Sequence, residues 1–212
     1  MSSARDESTG AIDPRLLRRT VLVVALLNFA YFFVEFSVAL IAGSVALLAD
    51  SVDFLEDTAI NLLIFVALGW SLAHRATVGK LMTLVLLVPA AIAGWKAVEG
   101  FSDPDPPLVA PLIFASLGAI AVNGVSALLL ARVRHHGGSL STAAFLASRN
   151  DVLINVSIIA MGILTAVTHS GWPDIVLGIG IILLGLHAAR EVWEASEDER
   201  LAARALAGEE ID

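Results

Sequence analysis

Apolar residues gather into six long runs, near Thr20–Ala42, Ser44–Ala73, Leu81–Val98, Leu108–Ala131, Leu140–Thr168 and Ile175–Ala189. Each approaches the roughly 20 residues of helix that cross the hydrocarbon core of a bilayer. Hydrophobic residues make up 57% of the 212, against about 45–50% in an ordinary soluble domain, and the excess lies in these runs. The pattern predicts an all-α integral membrane protein with six transmembrane helices. A large soluble helical domain is the competing reading. The chain then divides into a polar N-terminal tail (1–19), a six-helix transmembrane domain (20–189) and a short C-terminal tail (190–212). In the last, charge alternates with Ala and Leu, as in a solvated helix end.

The basic residues orient the helices. Arg5, Arg15, Arg18 and Arg19 precede the first, and Arg75 and Lys80 separate the second from the third. Arg132 and Arg134 separate the fourth from the fifth, and Arg190, Arg200 and Arg204 follow the sixth. The opposite connections, Ala42–Ser44, Gly100–Pro107 and His169–Asp174, contain no Lys or Arg. The positive-inside rule then places both termini in the cytoplasm, with a cell membrane, bacterial inner membrane by expectation, as the location. The first 19 residues lack the short apolar core of a cleaved signal and read as a cytoplasmic tail.

The chain has no cysteine, which excludes disulfides, thiolate metal sites and cysteine nucleophiles. Its net charge of −8 does not suggest nucleic acid. Trp70 and Trp95 suit interfacial anchoring, and Pro89 suits a kink in the third helix. Gly178, Gly180 and Gly185 suit close helix contact rather than a nucleotide loop, because they lie inside an apolar span and not after a strand.

The charged and amide residues inside the runs need a separate explanation. An Asp or Arg at the centre of a spanning helix costs roughly 2.5–3.5 kcal/mol on insertion scales. Such a group therefore binds something, moves something or is neutralised by a partner. The second run holds Asp50, Asp53, Glu56, Asp57 and Asn61; the first holds Glu35, the fourth Asn123, and the fifth Arg149, Asn150, Asp151 and Asn155. Helical residues four apart lie about 40° apart on one face. Asp53, Asp57 and Asn61 thus form one stripe, with Asp50 at its outer end. Asp151 and Asn155 form another, and Arg149 points nearly the opposite way. At about 1.5 Å per residue, Asp53 and Asp57 lie roughly 14 and 20 Å from the outer end of the second helix, and Asp151 roughly 16 Å from the inner end of the fifth. Across a core of ~30 Å these depths meet near the midplane.

Three carboxylates cannot share a low-dielectric space unless a cation or protons compensate them. Oxygen ligands on facing helices suit a divalent cation, and in its absence protons would occupy some of them. That is a physical basis for metal/proton exchange. The alternative is a structural network in which the carboxylates pair with Arg149 and with one another, although one Arg cannot neutralise three Asp and two Glu. Glu35 either relays protons or pairs with Arg149. Glu56, about 100° round from Asp57, faces another helix and is a further partner for Arg149.

The stretch GSVALLADSVDFLED, Gly43–Asp57, resembles the G-S-x-A-L-x-A-D-x-x-(H/D)-x-x-x-D signature of the cation diffusion facilitators, a family of divalent-metal transporters. Asn28 and Glu35 match a pattern common in the family's first helix, and the resemblance runs from about Leu17 to Ala189. It implies a homodimeric metal-efflux transporter in the lipid bilayer, not an enzyme and without a cofactor, that exchanges metal for protons. By the match, Asp53 and Asp57 are metal ligands, Asp50 is the recurrent Asp before them, and Asp151 is the second of two ligands in the family's helix-five pattern (H/D)-x-x-x-D. The first of those two positions is Ala147, which cannot coordinate. Asn155 or water is the expected substitute, and Asn150 would need helix rotation. Asp50, Glu35, Asn61 and Asn150 are left with proton or accessory roles.

The metal stays open between two arguments. None of His74, His135, His136, His169 and His187 falls near the midplane, and an all-oxygen site leans toward Mn²⁺, Fe²⁺ or Co²⁺. Zinc is what the family most often implies. His135 and His136, in RVRHHGG, are either weak metal-capturing groups or ordinary loop histidines. Most family members carry a cytoplasmic domain after the sixth helix, and this chain is expected to be a short form lacking it. The rivals are a non-transporting relative with a degenerate site, acting as a structural or regulatory membrane subunit, a cation channel, and an intramembrane aspartyl hydrolase. The last is expected to carry a G-x-G-D segment, which the chain does not have.

Overall fold

The computed structural model describes residues 14–67, 71–133 and 138–207. These form six α-helices: α1 (Pro14–Ala42), α2 (Val45–Ala67), α3 (Leu72–Ser102), α4 (Val109–Ala131), α5 (Gly138–Thr168) and α6 (Trp172–Leu206). No strand occurs among the described residues. Three segments, Arg15–Ala42, Val109–Ala131 and Ala144–Thr168, are long and apolar enough to cross a membrane, and a shorter apolar stretch covers Trp172–His187. Large apolar side chains point away from the bundle. Phe33, Ile41, Trp95, Phe114, Leu153 and Val167 are each more than half exposed. Water-facing surfaces break up such faces, and lipid accepts them.

The carboxylates of α2 break its apolar pattern, and its packing explains how the bundle accommodates them. The helix lies against α1, α3, α5 and α6, and residues 44–52 are buried without interruption. A helix enclosed on all sides by protein can carry ionisable groups at a depth where a lipid-facing helix cannot. Around it, α4 packs against α1 and α5, and α3 pairs with α6. An apolar cluster that includes Ala39, Ala46, Leu112, Ile158 and Ile181 lies toward the end carrying the α1–α2 turn. A second, built on Leu17, Val21, Val24, Ile64, Leu130 and Ala144, lies toward the other end.

The α1–α2 turn is tied down by its own backbone and by α6. Gly43 adopts a φ of 70°, which a residue without Cβ reaches freely, and Ser44 N–H then reaches back to Ala39 O at 3.2 Å. This closes α1 in a Schellman motif. Ser44 also caps α2, its Oγ accepting from Leu47 N–H at 3.0 Å. Asp174, at the start of α6, accepts from Ser44 Oγ and Val45 N–H, each at 2.6 Å, and from Ala46 N–H at 3.4 Å. The first-turn donors that a helix start leaves open are thereby met.

The helix ends differ from the expected runs in two places. The second apolar run reaches Ala73, whereas α2 ends at Ala67 and α3 begins at Leu72 after an extended Ser71. Hydropathy does not register a turn between two apolar helices. Arg75 and Lys80 consequently lie on α3 itself. Helix α6 continues for 35 residues to Leu206, so Arg190, Arg200 and Arg204 belong to it. There Glu197 pairs with Arg200 and with Lys80 of α3, and Lys80 Nζ lies 5.1 Å from the Trp193 ring centroid. Hydrogen bonds from Arg200 and then Lys80 hold the Glu197 carboxyl well below the usual range, at about 2. Pro89 is buried within a continuous α3. Trp70, Arg134, His135, His136 and the first 13 residues, Arg5 among them, lie outside the described residues.

Candidate metal centre

Helices α2 and α5 meet at Asp57, whose side chain is 3% exposed. Its Oδ2 accepts from Ser148 Oγ at 3.1 Å. Beside this contact lies a cavity of about 250 Å³. Its wall is Asp53, Glu56 and Asp57 from α2, Ala147, Asn150, Asp151 and Ile154 from α5, and Leu184 and Gly185 from α6. The three carboxylates singled out in the sequence therefore open on a common space. A Cβ built on Gly185 would lie 3.5 Å from Asp53 Oδ1, so at this point of the wall α6 presents bare backbone to Asp53. The carboxylates do not converge to a point: among the described residues, no three His, Cys, Asp or Glu side chains stand close enough to hold a metal ion.

The amides divide differently from the sequence expectation. Asn150 stands on the cavity wall without any rotation of α5, exposed, with Oδ1 accepting from Arg149 Nη2 at 3.3 Å. Asn155 is fully buried and is not among the wall residues. Its Nδ2 donates to Asp151 O at 3.1 Å, and it neighbours Asp50. Asn61 is also fully buried away from the wall, bonded by Nδ2 to Asp57 O at 2.8 Å. One turn carries a residue about 6 Å along its helix as well as ~40° round it, enough to take both amides past the cavity. Asp50 and Glu35 lie together, 1% and 0% exposed. Arg149 is exposed and bonded to its neighbour, so it does not neutralise the buried Glu35.

Two residues were missed. Ser148, fully buried, holds Asp57 from the position next to Ala147. Its signal was a small hydroxyl directly beside a helix-five ligand position. Asp174, which caps α2 across the bundle, read only as part of a loop; no local pattern marks a cap supplied by another helix.

A bundle with apolar outer faces and carboxylates around an internal cavity has the build of a membrane carrier for cations. The family model described as the cation efflux transmembrane domain matches residues 21–198. The chain belongs to the cation diffusion facilitator family, membrane proteins that transport metal ions and are not enzymes. No curated protein matches it.

Proposed function

We propose that the protein exports a divalent metal ion across the cell membrane in exchange for protons, by alternating access. In this reading six helices span the membrane, both termini are cytoplasmic and two chains form a homodimer. The observation that carries it is the cavity shared by Asp53, Asp57 and Asp151. The ion is the substrate, held by these three carboxylates with Asn150 Oδ1 and water as further oxygen donors. Among the described residues the wall offers no imidazole, which favours Mn²⁺, Fe²⁺ or Co²⁺ over Zn²⁺.

Asp53 and Asp57 stand on α2 and Asp151 on α5, so loading the ion draws α2 and α5 together, with Ser148 holding Asp57 in place. Once the ion leaves on the far side, mutual repulsion makes the carboxylates take up protons, and the protonated form returns. Purified protein in liposomes carrying a pH-sensitive dye tests this against a panel of metals. Metal uptake with counterflow of protons is expected. Uptake without proton movement discards exchange, and no uptake of any metal favours the alternative that Ala147 suggests, a non-transporting subunit with a degenerate site.

Ala147 supplies a sharper test of the ligand argument. Ala147→His places an imidazole on the cavity wall, and imidazole suits Zn²⁺ better than an all-oxygen set does. The ratio of Zn²⁺ to Mn²⁺ uptake should rise on the order of tenfold, a preference worth about 1.4 kcal/mol. An unchanged ratio counts against the oxygen-site reading.

A further inference from the structure

We propose that Glu35, Asp50 and Asn155 form a second cation site, for a divalent oxygen-seeking ion, one helical turn beyond the cavity toward the α1–α2 turn. It rests on the reading that such ions pass through this bundle. The three side chains come from α1, α2 and α5, and none is more than 1% exposed. Outside the cluster itself, no N–H or O–H donates to Glu35 Oε1 and Oε2, Asp50 Oδ1 and Oδ2 or Asn155 Oδ1; Asp50 lies within hydrogen-bonding reach of both Glu35 and Asn155. Asn155 Nδ2 donates one proton to Asp151 O and faces Asp50 with its amide, and its carbonyl oxygen is without a donor.

Buried polar atoms are nearly always satisfied, and an exception calls for an ion or water. Here four buried carboxylate oxygens lie side by side, with the Asn155 amide next to Asp50. Among the described residues, the titratable groups that interact with the acid pair include Tyr31, Asp53 and Asp151, a phenol and two further acids. Two carboxylates balance the charge of one divalent ion, and a carbonyl oxygen is an ordinary further ligand for a hard one.

The position gives the site a task. About one turn inward, Asp53 and Asp151 line the cavity. About one turn outward, Ala39, Ala46 and Ile158 belong to the apolar cluster that closes that end of the bundle. An ion leaving the cavity toward the α1–α2 turn meets Glu35, Asp50 and Asn155 before it meets apolar side chains.

Equilibrium dialysis of the full-length protein in detergent against Mn²⁺, with bound metal counted by atomic absorption, tests the proposal. Two Mn²⁺ per chain are expected. One should remain in Glu35→Gln/Asp50→Asn, and one in Asp53→Asn/Asp57→Asn, the retained ion in each case reporting an intact fold. A stoichiometry unchanged by Glu35→Gln/Asp50→Asn overturns the second site and leaves the cavity reading standing; a carboxyl pair that holds only a proton gives this result. Loss of all bound Mn²⁺ in each double variant also overturns it, by making the two sites one. A stoichiometry unchanged by Asp53→Asn/Asp57→Asn overturns the cavity reading instead. Asn155→Ala is the milder variant. It should weaken one of the two Mn²⁺ affinities on the order of tenfold, and two unchanged affinities would overturn the assignment.

Discussion

Asp57→Asn is expected to reduce metal uptake by proteoliposomes to the background of protein-free vesicles, and Asp151→Asn to do the same. Both substitutions keep the side-chain volume. The carboxamide oxygen that Asp57→Asn introduces can still accept from Ser148 Oγ, which bonds Asp57 at 3.1 Å. The contact between α2 and α5 therefore persists, and the change is one of charge. Removing one partner from a buried charge pair costs roughly 3–5 kcal/mol. Each 1.4 kcal/mol is about tenfold in affinity, so the ion should be held at least a hundredfold more weakly. The same variants lack a carboxylate that returns a proton, so both legs of the cycle fail together. Wild-type flux by either variant, in protein that elutes as a single species, would remove that residue from the site.

Gly178→Leu should have the largest effect on stability. A Cβ at this position would lie 2.6 Å from Val45 Cγ1 and 2.8 Å from Ala46 N and Val45 C. Two of those three atoms are backbone at the capped start of α2, where no rotamer change makes room. Helix α6 would have to move away from α2, and the hydrogen bonds from Ser44 and Val45 to Asp174, one turn earlier on α6, would be lost with it. Overpacking of this kind costs about 1–3 kcal/mol, and buried hydrogen bonds to a charged group add ~1.5–3 each. An apparent Tm lower by roughly 10–35 °C, followed by thermal unfolding in detergent, is expected. Gly180→Leu is the comparison: a Cβ there meets nothing within 4 Å, and the variant should unfold close to the wild type. Equal losses in the two would mean that glycine content, not the approach of α6 to α2, decides stability.

The same contrast separates what could be read along the chain from what could not. Gly178, Gly180 and Gly185 have one appearance in the sequence, three small residues in an apolar span. In the fold the first touches backbone, the second faces outward and the third lines the cavity beside Asp53. The amides behave likewise. Asn155 shares a face with Asp151 by helical angle, yet it is Asn150 that reaches the cavity wall, because the angle on one helix does not say where its neighbours stop.

What the sequence determined by itself were the properties set by distances of a few residues. Six apolar runs became six helices, because each run is long enough to satisfy its own backbone hydrogen bonds. The i, i+4 spacing of Asp53 and Asp57 put them on one side of α2, and the signature around them marked the family. The tertiary structure alone decided which groups meet. It set the pairing of Ser148 with Asp57, the capping of α2 by Asp174 from 129 positions away, the gathering of Glu35, Asp50 and Asn155, and the end of α2 at Ala67 inside continuous hydropathy. Helical periodicity gives each side chain a direction from its own axis. The register and separation of neighbouring axes, which turn direction into contact, come from packing the whole bundle.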